Sequence, residues 1–492
     1  MNNQRRTLVA IGRWLPVLLI GGLVLASTAQ PSRAAGATGA TFLNQQTNTA
    51  SASLQIDRAG GLHAAYVSDP QEQAYYSTCA PPADCADRAS WTETHFGSHV
   101  REVQLELTPQ GQPRMLLLIN DPDDGDPDIN DSWWYAACQS SCASSASWSM
   151  IFIGGHADID VESFYTSNHY FALDPQGRPR VVFGPKFGFD PNTFEVFGWM
   201  VYASCDIACA VGDGTDPTGR PTASNWSYGT IDAVFHQPAL AFTSDGRPRI
   251  AAFADADDGQ GSDVLQYFAC DSRCDESASW AAARIGEPGV SGESVALRLD
   301  SHNRPRMAVF FQRAHSRYLW CNSACTDGRQ WGSVPIDPIH TDGGDPDLQL
   351  DQLDRPRIAF HWQSTPGDLQ GQLGVGYAWC DTNCESSGAL FQRRLTDDSQ
   401  QLGADWPLPW PSNCPYGNWL GGFRPSLALD AAGQPRIAAD ADFVAFGCVG
   451  VPAPGHGLPI DSEKTHAAVR LILAAPAIDT SRYRVLLPLA QR

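Results

Sequence analysis

A chain of 492 residues exceeds what one compact core holds, so several domains or one large repeat architecture is expected. Hydrophobic residues at 43% and aromatics at 10% exclude a disordered chain, charged residues at 18% argue against a coiled coil, and Gly 44 with Pro 35 points to many turns and short strands. Lys+Arg 33 against Asp+Glu 54 gives a net charge of -21, which argues against nucleic acid or an anionic membrane as partner.

The N-terminus reads as an export signal. Arg5, Arg6 and Arg13 precede an apolar run from Trp14 to Ala26, too short to span a bilayer comfortably, and small residues follow it. Cleavage after Ala29 is expected, with Ser32-Arg33-Ala34 as the second choice and an uncleaved anchor as the rival reading. That gives a signal peptide at 1–29, a folded domain at 30–475 and a tail at 476–492. The expected location is secreted or cell surface, with no membrane span left after cleavage.

From residue 54 one phrase recurs: an alternating strand, a tight turn, Pro-Arg, then a second apolar strand. Its seven copies start at Leu54, Leu105, Phe171, Leu240, Leu297, Leu348 and Leu427. Gly60, Gly111, Gly177, Gly246, Asn303, Asp354 and Gly433 hold the same turn position, and all are types that tolerate a positive φ. A second phrase follows in six copies: Tyr76, Tyr135, Tyr202, Tyr267, Tyr318 and Tyr377 each stand three residues before a cysteine. The partner cysteine comes shortly afterwards, and Trp91, Trp148, Trp226, Trp280 and Trp331 open the next strand, with Leu390 in that place in the sixth copy. Each copy therefore reads as four strands, A to D, in the order of a propeller blade. The phrase L-x-L-D-x-x-G-x-P-R-I-A resembles the repeat units of secreted bacterial seven-bladed propellers. The expected fold is all-β: a seven-bladed β-propeller of four-stranded antiparallel blades. The seventh copy lacks a D strand, and ATFLNQQ at 40–46 is expected to supply it, closing the ring with an N-terminal strand.

Twelve of the fourteen cysteines form close pairs, one per blade in the first six, and Cys414 and Cys448 remain to pair with each other. Metal binding by C-x-x-x-C lacks nearby ligands to complete a site. The repeated arginines (Arg114, Arg180, Arg249, Arg306, Arg357 and Arg436) recur too often for catalysis. They are expected to pair with Asp174, Asp300, Asp351 and Asp430 or with backbone carbonyls between blades. The repeated Tyr and Trp read as packing between blades.

Function belongs where the repeats differ. The loop from Asp121 to Asp131 carries Asp121, Asp123, Asp126 and Asp128 around a glycine, oxygen ligands that suit calcium, with a solvated acidic turn as the bland alternative. Asp255 to Asp263 and the set Asp342, Asp345 and Asp347 are similar. The insertion from Asp398 to Phe423 gathers Trp406, Trp410, Tyr416 and Trp419 on a proline-stiffened loop. They could stack on a sugar, anchor a protein, or plug the channel. The expected function is a binding module for an extracellular glycan or protein ligand, acting as a monomer. The alternative is a glycan-cleaving hydrolase or lyase using carboxylates such as Asp158, Asp160, Glu162, Asp190 and Glu195. The last residues, YRVLLPLAQR, resemble tails that close other secreted bacterial proteins; a final strand is the other reading.

Overall fold

The alternating strands and Gly turns assemble into seven four-stranded antiparallel sheets set in a ring, a seven-bladed β-propeller. The computed structural model describes residues 40–473 except for connecting segments, the longest being 121–130, 156–168, 364–372 and 449–462. The segments expected to be a signal peptide (1–29) and a tail (476–492) lie outside the described residues. Blade two is representative: strand A is Val100–Leu107, B is Pro113–Asn120, C is Asp131–Cys138 and D is Trp148–Gly155. Strand A of each blade touches strand A of the next around the whole ring, so the A strands surround the central channel.

The A–B turns follow from their residue types. Gly60, Gly111, Gly177, Gly246, Asn303, Asp354 and Gly433 all have φ between +58° and +87°, the left-handed region that glycine, Asn and Asp enter most cheaply. In blade three Asp174 Oδ1 accepts from the backbone N–H groups of Gln176 and Arg178, fixing the turn. The repeat arginine then anchors the turn to strand C. Arg180 donates to the carbonyls of Pro179 and Cys205 at 3.0 and 2.6 Å and to Asp174 Oδ2 at 2.9 Å. Arg306 and Arg357 repeat this pattern with Asp300 and Asp351. The expected carboxylate is therefore used, together with carbonyls of the arginine's own blade rather than the expected carbonyls between blades.

The apolar cores lie between blades. One cluster packs Val100, Leu105 and Met115 of blade two on Ala65 and Val67 of blade one, and equivalent clusters occur at each junction around the ring. The repeated aromatics join across each junction: Tyr76 meets Trp148 edge-on at 5.0 Å, and Tyr135–Trp226, Tyr202–Trp280 and Tyr267–Trp331 do the same. Each such Trp also donates its indole N–H to the carbonyl of its blade's second cysteine. In blade six the sequence reading is corrected by one residue. Leu390 is 86% exposed, and Phe391 takes the tryptophan's place against Tyr318. Side chains alternate along a strand, so a shift of one residue exchanges the buried and exposed faces.

Blade seven closes the ring as expected. Ala40–Phe42 pairs antiparallel with Glu463–Ile472, giving a sheet made from both ends of the chain. All fourteen cysteines are bonded: six local pairs plus Cys414–Cys448. No helix among the described residues is long and apolar enough to cross a membrane.

The insertion at 398–423 is more ordered than the loop expected from its prolines. Asp398 caps a short helix, Ser399–Asp405, by accepting from Gln401 N–H. From Tyr416 the chain is already strand A of blade seven, Tyr416–Leu429, paired with Pro435–Phe446.

Candidate functional site

Polar side chains of the A strands lace neighbouring blades together. One residue before the repeat leucine, Ser53, Gln104, Asp347 and Ser426 accept from the backbone N–H of Leu105, Phe171, Leu427 and Leu54 in the next blade. Three residues before it stand Ser51, Glu102, Asn168, Gln237, Ser294, Asp345 and Arg424, polar in every blade. Ser294 Oγ accepts from Asp345 N–H, and Asp345 Oδ2 from Arg424 N–H. Asp440 of blade seven completes the junction with blade one by accepting from Ser51 and Ala52 N–H. These bonds are structural.

Local backbone irregularity marks this second position. The A strands carry bulges beside Ser51, Glu102, Ser294 and Arg424. Ser51, Asp345 and Arg424 have φ of 60°, 50° and 45°. A left-handed conformation in a residue with a Cβ costs on the order of 1 kcal/mol, and bulges re-aim side chains next to functional sites.

What the lacing leaves over is a set of charges facing the axis. Glu102 is fully buried and neither carboxylate oxygen meets hydrogen-bond geometry. Burial pushes its pKa up from 4.5 to about 8; Arg424, Tyr170 and Gln104 favour the charge without offsetting the lost solvent, and Asp440 adds to the rise. Its acid is therefore protonated at neutral pH. Arg424 pairs with Asp440 at 2.6 Å and keeps 19% exposure although protein surrounds it, the signature of a side chain facing a channel. Burial lowers the arginine's pKa, but Asp440, Glu102 and Asp345 outweigh it and hold the charge.

Lower in the same strands the network crosses the axis. His169 of blade three lies 3.7 Å from Asp347 of blade six, three blades away around the ring. Arg298 of blade five reaches the same Asp347 oxygen at 3.5 Å. Burial pulls His169 down to about 4, against the pull of Asp347, so its ring is neutral. Glu106 of blade two is pushed up to about 7 by burial, opposed by Arg298 and reinforced by Asp347. Groups from five blades thus act on one another across the channel, with two carboxyl groups titrating near neutrality.

The residues expected from the sequence are placed differently. Trp419 is 1% exposed and so presents no face to a ligand in this structure. It packs on Phe42, Phe443 and the half-buried Trp406, with ring centroids 5.8, 5.7 and 5.5 Å away, and donates its indole N–H to Trp406 O. Tyr416 lies at the start of the same strand, while Trp410 falls outside the described residues. Asp121, Asp123, Asp126 and Asp128 also lie outside them, as do Asp158, Asp160, Glu162 and Asp342. Asp345 and Asp347, grouped with Asp342 as calcium ligands, are committed to protein N–H groups and cations. Among the described residues one further trio, Asp300, His302 and Asp354, has the spacing of metal ligands, but Asp300 already holds Arg304 and Arg306.

No protein-family model matches this chain, and no curated protein matches it. Among solved structures it is similar to a protein of unknown function from Dyadobacter fermentans, at 9% identity and TM-score 0.39, covering 89% of this chain and 100% of that one. An α-L-arabinanase from Penicillium chrysogenum, complexed with arabinobiose, is 12% identical at TM-score 0.39 over 67% of this chain and 93% of its own. A leech intramolecular trans-sialidase is 8% identical at TM-score 0.36 over 81% and 66%. Likeness this distant says nothing about chemistry, which rests on the channel residues themselves.

Proposed function

We propose that this chain is an exported propeller that binds a polar, glycan-type ligand at the channel, through the charges its inner strands leave unlaced. The observation that carries the reading is Arg424: a guanidinium paired with Asp440 that keeps 19% exposure, with the buried acid Glu102 behind it, where a polar ligand could share the charge. Seven disulfides suit an oxidising compartment, in keeping with secretion or surface display. Calcium held by Asp121, Asp123, Asp126 and Asp128, and contacts from Trp410 and Tyr416, belong to the same proposal.

A second reading, a glycan-cleaving hydrolase, is favoured by one feature. Two carboxyl groups from different blades, Glu102 with its raised pKa and Asp440 held by Arg424 and two backbone N–H groups, act on each other at the channel, as the carboxyl pair of a glycosidase does.

A polysaccharide binding panel with and without a calcium chelator, combined with reducing-sugar release, tests both. Binding that Arg424→Ala abolishes without product release supports the module. Product release lost in Glu102→Gln with binding kept supports the hydrolase. Binding unaffected by both substitutions would move the site off the channel.

A further inference from the structure

The repeat arginine of blade two differs from its counterparts. Arg180, Arg306, Arg357 and Arg436 each pair with the aspartate of their own turn, and Arg249 pairs with Asp271 after its blade's first cysteine. In blade two the turn aspartate is replaced by Thr108 and the residue after the first cysteine is Gln139. Arg114, only 7% exposed, donates instead to the carbonyls of Pro113 and Cys138 and to the side-chain oxygens of Gln112 and Gln139. Its hydrogen bonds are made, but every acceptor is neutral, so a buried positive charge stands without an anion. Burial pulls its pKa down accordingly.

Blade five shows what belongs there. Arg306 and Asn322, the counterparts of Arg114 and Gln139, together clasp the carboxylate of Glu385 from the next blade, at 2.6 and 2.8 Å. Glu385 follows the second cysteine of blade six. The residue following the second cysteine of blade three is Ala210. Beside Ala210 there is instead a cavity of about 250 Å³, lined by Arg114, Gln139 and Arg178, with Asp206 neutralised by Arg178 and Arg180, and edged by the exposed Ile207 and Val211. Arg178 adds a second guanidinium, shared with Asp174 and Asp206.

We propose that this cavity between blades two and three binds the carboxylate of a small organic acid, which takes the place Glu385 holds between blades five and six. Arg114 and Gln139 grip the two oxygens, and Ile207 and Val211 cover the apolar body of the ligand. The size is below the usual range for drug-sized ligands and suits a single acidic sugar or a short-chain acid.

Titration of the full chain with D-glucuronate and with hexanoate, followed by NMR or calorimetry at neutral pH, tests this. Saturable binding of at least one acid, with a dissociation constant on the order of 1 mM, is expected. The tighter of the two identifies the source as an acidic sugar or an aliphatic acid. Arg114→Gln should abolish binding. Ala210→Glu, at a half-buried position on the cavity wall, supplies the missing carboxylate internally and should both abolish binding and raise the melting temperature, with Ala210→Gln as the size control that should do neither. Failure of both acids to saturate the wild type, or affinity unchanged in Ala210→Glu, would overturn the proposal.

Discussion

Charged residues in this propeller divide by what their neighbours leave unsatisfied. Asp347, Asp345 and Asp440 accept backbone N–H groups across blade junctions, whereas Glu102 is buried with only the side chains of Tyr170 and Gln104 to offset its lost solvent. The consequence can be measured. With its pKa raised from 4.5 to about 8, Glu102 holds its proton in the folded state and loses it in the unfolded chain, so stability falls as pH rises through that window. Glu106, raised to about 7, acts in the same direction. His169 and His361, lowered from 6.5 to about 4, act in the opposite sense: the unfolded chain takes up their protons first, so stability rises across that range. The effects oppose each other below pH 6.5, and above it only the loss from the glutamates remains. Urea unfolding between pH 6.5 and 8 should show falling stability, by at most about 1.4 kcal/mol per pH unit for each group. Glu102→Gln, which mimics the protonated acid, should flatten that fall. Parallel curves for wild type and variant would mean that Glu102 ionises normally.

Each blade element is held by a short-range device, and the devices differ in strength. Six bridges close loops between strands C and D with sequence separations of 4 or 6, while Cys414–Cys448 spans 34 residues across the last blade's first hairpin. On chain entropy a five-residue loop contributes about 2 kcal/mol and the long one about 4 kcal/mol. Replacing Cys414 and Cys448 together by serine should therefore cost about twice as much as replacing Cys138 and Cys142, read by guanidinium unfolding of each double variant. Equal losses would show that the long bridge links segments already fixed by strand pairing. The same hairpin carries Trp419, whose burial makes it a packing residue of blade seven whatever else its loop does.

At the scale of the whole molecule, closure depends on three residues from the far end of the chain. Ala40–Phe42 covers the outer edge of blade seven, and Phe42 is enclosed by Trp406, Trp419 and the guanidinium of Arg470 at 4.9, 5.8 and 4.7 Å. Arg470 is itself held by Asp397 at 2.7 Å and by Asp405. Deleting residues 30–43 should remove at least about 3 kcal/mol through the loss of Phe42 alone and leave a bare strand edge open to other chains. Differential scanning calorimetry and light scattering should show a lower melting temperature and larger species. A monomer with unchanged melting would mean that another segment closes the ring.

The blade count, the turns, the disulfide pairing and the closing strand were all legible in the sequence, because each depends on residues close in the chain or on a pattern stated seven times. Alternation failed by one residue only at Leu390 and Phe391, where no tryptophan marks the strand's inner face. The site was not legible in the same way. Glu102, His169, Arg298, Asp347 and Arg424 come from five different copies, and each looks like a lone polar residue in its own strand. A signal did exist, since the position three before each repeat leucine is polar in all seven copies, but its meaning depends on the bulges beside Ser51, Glu102, Ser294 and Arg424, which the sequence does not announce. Only closure of the ring brings blades three and six within 3.7 Å of each other and removes water from Glu102. Desolvation is a property of the assembled channel, and it is what separates the acid at Glu102 from the many carboxylates that merely face solvent.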